Sequence, residues 1–278
     1  MISMEIIKLT EHKKSFWLDN KKLFIKAIAT LSALALWIII WWIAAINIDI
    51  DLILPTPLAV FNEMLRLPTQ SGFAAMLFGS ASRVFSGYAL GILLGAVLAY
   101  FAHFFYPLKA FLSPFIKIIT AIPVASFILL CMLWMANELT AVFISFLMVL
   151  PIVYGNVLSG LENTDRSLIE VAKAYGFTPV KKAFLLYIPS LLPYFGSAAV
   201  TTVGLAWKAA ISAEIMCVTA RSIGYYIYQS QSWETEKMFA LTIYVILLSI
   251  ISEYLIKGIA YLIKRYTKNR FGGDAIGK

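Results

Sequence analysis

Ionisable and nucleophilic side chains are scarce in this sequence, so each one in an apolar setting is a candidate for chemistry. Lys208 and Glu214 stand in the stretch AWKAAISAEI. A charge at membrane depth is costly and faces protein or water. Six residues apart on a helix, the two point to different sides and form no i,i+4 pair. Lys208 has three readings: snorkelling to an outer interface, an ion pair with another segment such as Glu253, or lining a polar path. Trp207 beside it has the residue type of an interface anchor. Ser126, three residues after Pro123, offers a hydroxyl to the same path. Ser126, Lys208 and Glu214 are therefore the candidate path residues.

Other reactive groups lack partners. Cys131 and Cys217 have no neighbour at metal or redox spacing and read as small buried hydrophobes. His12 and His103 are isolated, so no metal site is expected. No GxSxG, HExxH or paired-carboxylate signature occurs, nor a glycine-rich phosphate loop. An enzyme is not expected, no cofactor is assigned to the chain, and any ATP chemistry has to come from another subunit.

A different chemistry, recognition, is written in the segment from Ser167 to Pro189. Ser167 and Glu170 have capping-box spacing, so a helix is expected to start near Ser167. Leu168, Val171, Ala172 and Tyr175 fall on one face at helical spacing, with Glu170 and Lys173 on another. Gly176 follows where a left-handed residue ends a helix. Thr178 can cap a second helix with Pro179 in its first turn, running past Ile188 and Pro189. So short a helix is marginal alone. Its apolar face needs either a lipid surface or a partner protein.

The elements that position these groups follow from composition. The 278 residues are 61% hydrophobic and 14% charged, against about 25% charged in soluble domains. The mean hydropathy is +0.83. Lipid offers the backbone no hydrogen bonds, and the apolar runs are long and do not alternate, so an all-α membrane protein is expected. Charge-free gaps set six transmembrane helices at about 27–48, 84–106, 115–136, 139–160, 185–212 and 239–262. The membrane domain is 27–262, with tails 1–26 and 263–278 and a loop at 161–184. Most of the 23 Lys and Arg residues fall in the tails and the loops on the same side, which puts both termini in the cytoplasm. The net charge of +8 is read as topology charge beside anionic lipid, not as a nucleic-acid footprint. The first run is too long for a signal peptide and reads as an uncleaved anchor.

Small residues and prolines mark the packing. Gly87, Gly91 and Gly95 repeat every four residues, which lets two helices approach closely, within one subunit or across a dimer. Pro123 and Pro151 should each kink a span, for structure or for gating. DLILPTPLAVFNEMLRLP reads as an outer amphipathic helix with Leu58, Phe61, Met64 and Leu65 on one face.

Glu170-x-Ala172-x-x-x-Gly176, then eleven residues, then Ile188-Pro189, resembles the EAA loop of ABC importer permeases. Val171 replaces the motif's second alanine and keeps the face apolar. LPTPLAV, AIPVASFILLCMLW, AWKAAISAEI, RSIGYYIYQS and the closing span with Glu253 are similar to the nitrate/sulfonate/taurine-type branch. The resemblance covers nearly the whole chain from about residue 30.

The resemblance implies a type I ABC importer permease fold: a five-helix core plus a peripheral N-terminal helix in a prokaryotic cytoplasmic (inner) membrane. It implies that Leu168, Glu170, Val171, Ala172, Tyr175, Gly176, Ile188 and Pro189 couple the permease to ABC ATP-binding subunits, which hold ATP and Mg. It also implies an extracytoplasmic solute-binding protein and a second permease subunit, usually as a homodimer. The rival reading is a secondary transporter or channel needing no ATPase. It would want paired ionisable groups at mid-membrane, and it leaves the capped helix unexplained.

Overall fold

The computed structural model describes residues 24–25 and 28–271. Most of the expected N-terminal tail, including His12, and residues 272–278 of the C-terminal one lie outside them. Every regular element among the described residues is helical, as a lipid-embedded backbone requires. The helices are α1 (Ile28–Ile48), α2 (Pro57–Arg66), α3 (Phe73–Phe104), α4 (Tyr106–Ala121), α5 (Val124–Met132), α6 (Asn137–Glu162), α7 (Arg166–Ala174), α8 (Pro179–Lys182), α9 (Ile188–Met216), α10 (Ile223–Ser230) and α11 (Thr235–Phe271).

Five helical runs are long and apolar enough to cross a membrane: α1, α3, α6, Pro179–Met216 and α11. The expected third span, 115–136, is not one helix. It is α4 and α5, bent by 99° at the intervening break. Pro123 has no N–H to give and forces Ile122 into an extended conformation (ψ 133°). The expected kink is thus a full break, whereas α6 continues as one helix through Pro151. The second span also differs. It begins at Phe73 rather than residue 84, because Arg83 is neutralised inside the fold.

The core is α3, α6 and α9. The glycine stripe of α3 lies against α6. A Cβ on Gly87 would fall 2.2 Å from the Val142 carbonyl oxygen, and one on Gly91 would fall 2.7 Å from Val149 Cβ. Of the two readings of the stripe, it serves packing within the chain. Ser145 Oγ donates to the Val84 carbonyl (3.1 Å) and Tyr88 Oη to the Ala199 carbonyl (2.7 Å), tying the three helices together. Trp207 is not an interface anchor. It is buried and donates Nε1 to Ser252 Oγ on α11 (3.0 Å).

The periphery is looser. On α1, Ala45 is buried, and Trp41 stacks on Phe239 and donates Nε1 to the Pro55 carbonyl (3.0 Å). α2 starts as expected, with Thr56 accepting from Ala59 N and Pro57 in the first turn. Its buried side differs: Val60 and Leu67 are covered and Met64 half-buried, while Leu58, Phe61 and Leu65 face out. The Tyr244 hydroxyl, bonded to the Met64 carbonyl (2.7 Å), draws that side onto α11.

Candidate functional site

α7 is built by local chemistry at both ends. Its cap is Asp165, one position before the helix, and not the expected Ser167–Glu170 box. The Asp165 carboxylate accepts from Ser167 N (2.9 Å) and from Ser167 Oγ. A carboxylate at the positive end of the helix dipole is a stronger acceptor than a hydroxyl. The two Ser167 hydrogen bonds, side chain first and backbone second, hold the Asp165 carboxyl below the usual carboxylate range.

The other end closes on Gly176, at φ +61°. Phe177 N donates to the Ala172 carbonyl (2.9 Å) and Gly176 N to the Lys173 carbonyl (3.0 Å), which is the Schellman pattern. Thr178 then accepts from Lys181 N (3.3 Å) and Pro179 opens α8. The chain passes through a wider π-type turn, Ala183–Tyr187, into α9. Pro189, which has no N–H to offer the Leu185 carbonyl, lies just beyond that turn.

The apolar face expected on α7 is divided. Ala172 is 1% exposed and turned into the chain. Leu168 and Val171 are each 51% exposed and Tyr175 77%. Glu170 is exposed too. Three large apolar side chains on a charged loop helix thus have no cover among the described residues. Ile188 and Pro189 sit at the start of α9, where Pro189 lines a groove of about 800 Å³ with Tyr88, Phe195 and Ala260.

The candidate path residues separate in the structure. Glu214 does not face a path: it is fully buried. Its Oε1 accepts from Arg83 Nε (2.8 Å), and its Oε2 from Ser80 Oγ (2.7 Å) and Gly224 N (3.2 Å). Ser80 Oγ in turn accepts from Ile223 N (2.9 Å). One carboxylate therefore joins α3, α9 and the start of α10. A Cβ on Gly224 would lie 2.4 Å from Glu214 Cβ, so the approach needs glycine. Ser126 is exposed in the first turn of α5, and Lys208 is exposed on α9. The suggested Lys208–Glu253 pair is absent, since Glu253 pairs with Lys257 (2.5 Å).

Reading by sequence missed Ser80, Arg83 and Gly224. The available signal was Arg83 itself, a cation with apolar helix on both sides that demands an acid at the same depth. Cys131 and Cys217 are free and buried. Among the described residues no three His, Cys, Asp or Glu gather as a metal would need.

Comparison with known proteins bears on this arrangement. Residues 91–265 match the model of a family described as binding-protein-dependent transport system inner membrane component. A protein of Methanocaldococcus jannaschii named as an ABC transporter permease is 25% identical over 93% of this chain and 97% of its own length. A Bacillus subtilis protein named as an aliphatic sulfonates transport permease is 25% identical over 74% of each chain. A bicarbonate transport system permease of Synechocystis is 28% identical over 76% of this chain and 79% of its own. Among solved structures, an inward-facing MetNI methionine ABC transporter aligns with a TM-score of 0.58 at 16% identity, covering 68% of this chain and 94% of that one. That likeness shows the fold.

Proposed function

The chain belongs to the family of binding-protein-dependent transport system inner membrane components, and from that premise we propose how this permease subunit of an ABC importer works. α7 docks on an ATP-binding subunit, and that subunit's nucleotide-driven motion enters the spans through α7, α8 and the start of α9. The single observation that carries this reading is the exposed face of Leu168, Val171 and Tyr175 on a helix fixed at both ends. An isolated helix of this length is marginal in water. Caps that hold it rigid while its apolar residues stay uncovered fit a docking surface better than a loop. Ala172 is the exception within the motif: it anchors the helix to its own chain, and the docking face is Leu168, Val171 and Tyr175, with Glu170 at its edge.

ATP and Mg are held by the partner subunits, and this chain contributes the membrane path. Two copies enclose the path, and both termini lie in the cytoplasm, as the Lys and Arg distribution favours. A binding protein brings the solute to the opposite face. The named relatives carry aliphatic sulfonates and bicarbonate, so the solute proposed for this chain is a small oxyanion.

The test is co-purification. The tagged chain, extracted from its native cells in mild detergent, should bring down an ATP-binding-cassette subunit. Leu168→Asp sets an uncompensated charge in an apolar contact and should abolish that recovery while the chain still inserts. A chain that comes down alone, with or without the substitution, would favour a transporter that needs no ATPase.

A further inference from the structure

The outward side of α9 carries a line of polar side chains. Ser197, Thr201, Lys208 and Ser212 are all exposed, and at helical periodicity they share one side of the helix. The long exposed faces of α1 and α11 show mainly leucine, isoleucine and aromatic residues, with polar side chains such as Ser32, Thr242 and Lys257 scattered among them. The line borders two cavities. Ser197 and Thr201 line the groove of about 800 Å³. Ser212 lines a cavity of about 320 Å³ together with Val124, Ala125 and Ile128, at the break between α4 and α5. Lys208 stands between the two, one turn from Ser212, whose hydroxyl donates to the Lys208 carbonyl (2.8 Å).

The Lys208 charge is uncompensated among the described residues. Arg83, Lys109, Lys237 and Lys257 each meet a carboxylate: Glu214, Glu162, Glu234 and Glu253. Among the described residues no carboxylate lies within ion-pair distance of Lys208. Lys117 of α4 shares that lack but borders neither cavity. Lys208 is about 12 Å along the axis from the helix end at Met216. Side chains on a helix lean toward its N-terminus. Lys208 therefore leans toward Ile188, away from the nearer membrane surface, and snorkelling would run against that direction. A free ammonium in a span faces water or a counter-charge, and here it sits in a line of hydroxyls.

We infer that this line is a water-facing wall of the solute path and that Lys208 is its anion-binding position, taking a small oxyanion in passage. The membrane subunit would then read the solute's charge itself, after the binding protein has released it. The inference rests on the importer reading above.

The probes are two membrane-impermeant methanethiosulfonates, one bearing a sulfonate and one a trimethylammonium group. They are applied to the full chain in native membranes, with its partners present. Cys131 and Cys217 are buried, so the parent chain supplies the blank. Ser212→Cys and Thr201→Cys should be labelled, and Ile246→Cys, on the exposed apolar side of α11, should not. At Ser212→Cys, with each rate divided by that reagent's rate on a free thiol, the sulfonate reagent should be favoured roughly tenfold over the cationic one, the scale of one nearby charge in a partly aqueous site. That preference should vanish with Lys208→Gln and persist with Lys208→Arg. Labelling at neither cysteine overturns the water-facing wall. Labelling with a charge preference that ignores Lys208→Gln overturns the anion position. Recovery of the ATP-binding subunit from the same membranes reports separately on the importer reading, so the two failures are distinguishable.

Discussion

Two regions of the molecule hold residues against the preference of their surroundings. Where α3, α9 and α10 meet, Glu214 is drawn fully inward, and Arg83 follows it with 14% of its side chain still exposed. On α7, Leu168, Val171 and Tyr175 are turned outward. The first inversion is resolved inside the chain: Glu214 receives the guanidinium, a hydroxyl and a backbone N–H, and its polar atoms are met. The second is left open, because nothing among the described residues covers the apolar face. An inverted residue whose needs are met internally is holding the fold, and one whose needs are unmet is waiting for something outside it. That contrast separates Glu214 from the α7 face more sharply than burial alone.

The largest effect should come from the closed side of the comparison. Glu214→Ala leaves Arg83 charged in an apolar setting and should cost about 3–5 kcal/mol, read as a lowered unfolding midpoint in detergent. Arg83→Met combined with Glu214→Leu should recover a large part of the loss. A double variant no better than the single one would mean that the ion pair is not what the region needs. On the open side, Gly176→Val forces a β-branched residue into a left-handed conformation, at about 1–2 kcal/mol. It should leave membrane insertion intact and lower the unfolding midpoint far less than Glu214→Ala does, yet sharply reduce ATP-driven uptake in proteoliposomes. Equal losses of stability and uptake would erase the distinction between the two regions.

The smallest effect concerns pH. Asp165 has a depressed carboxyl pKa when capping α7. Its contribution is fully present above the ordinary carboxylate value of about 3.9 and is lost as pH falls through the lower folded value. A fluorophore on Val171→Cys should therefore keep its anisotropy from neutral pH down to about 5 and lose it only in stronger acid. Asp165→Asn should remove that acid transition.

What could be read beforehand follows the range of the interactions. Gly176, Thr178 and Pro179 act on residues within one turn, so the end of α7 and the start of α8 were legible. The start of α7 was less so, because Asp165 and Ser167 can both cap and only their relative acceptor strength decides. Pro123 announced a distortion, but the 99° turn depends on how α4 and α5 each pack. The apolar set on α2 was ambiguous because Val60, Met64 and Leu67 compete with Leu58, Phe61 and Leu65 for the inside. Glu214 was misplaced for a deeper reason: its partner Arg83 lies 131 residues away, and no local periodicity links the two. The line of hydroxyls with Lys208 went unnoticed because it emerges only when exposure sorts one side of α9 from the rest.

The most direct test of the open inversion is a photocrosslink from the most exposed of its residues. A benzophenone amino acid in place of Tyr175, irradiated in native membranes and followed by mass spectrometry, reports what lies against that face. An adduct with an ATP-binding-cassette subunit, lost when Leu168→Asp is added, is the predicted result. Adducts with lipid alone, from a chain that still transports, would contradict the account and make α7 an interfacial helix lying on the bilayer.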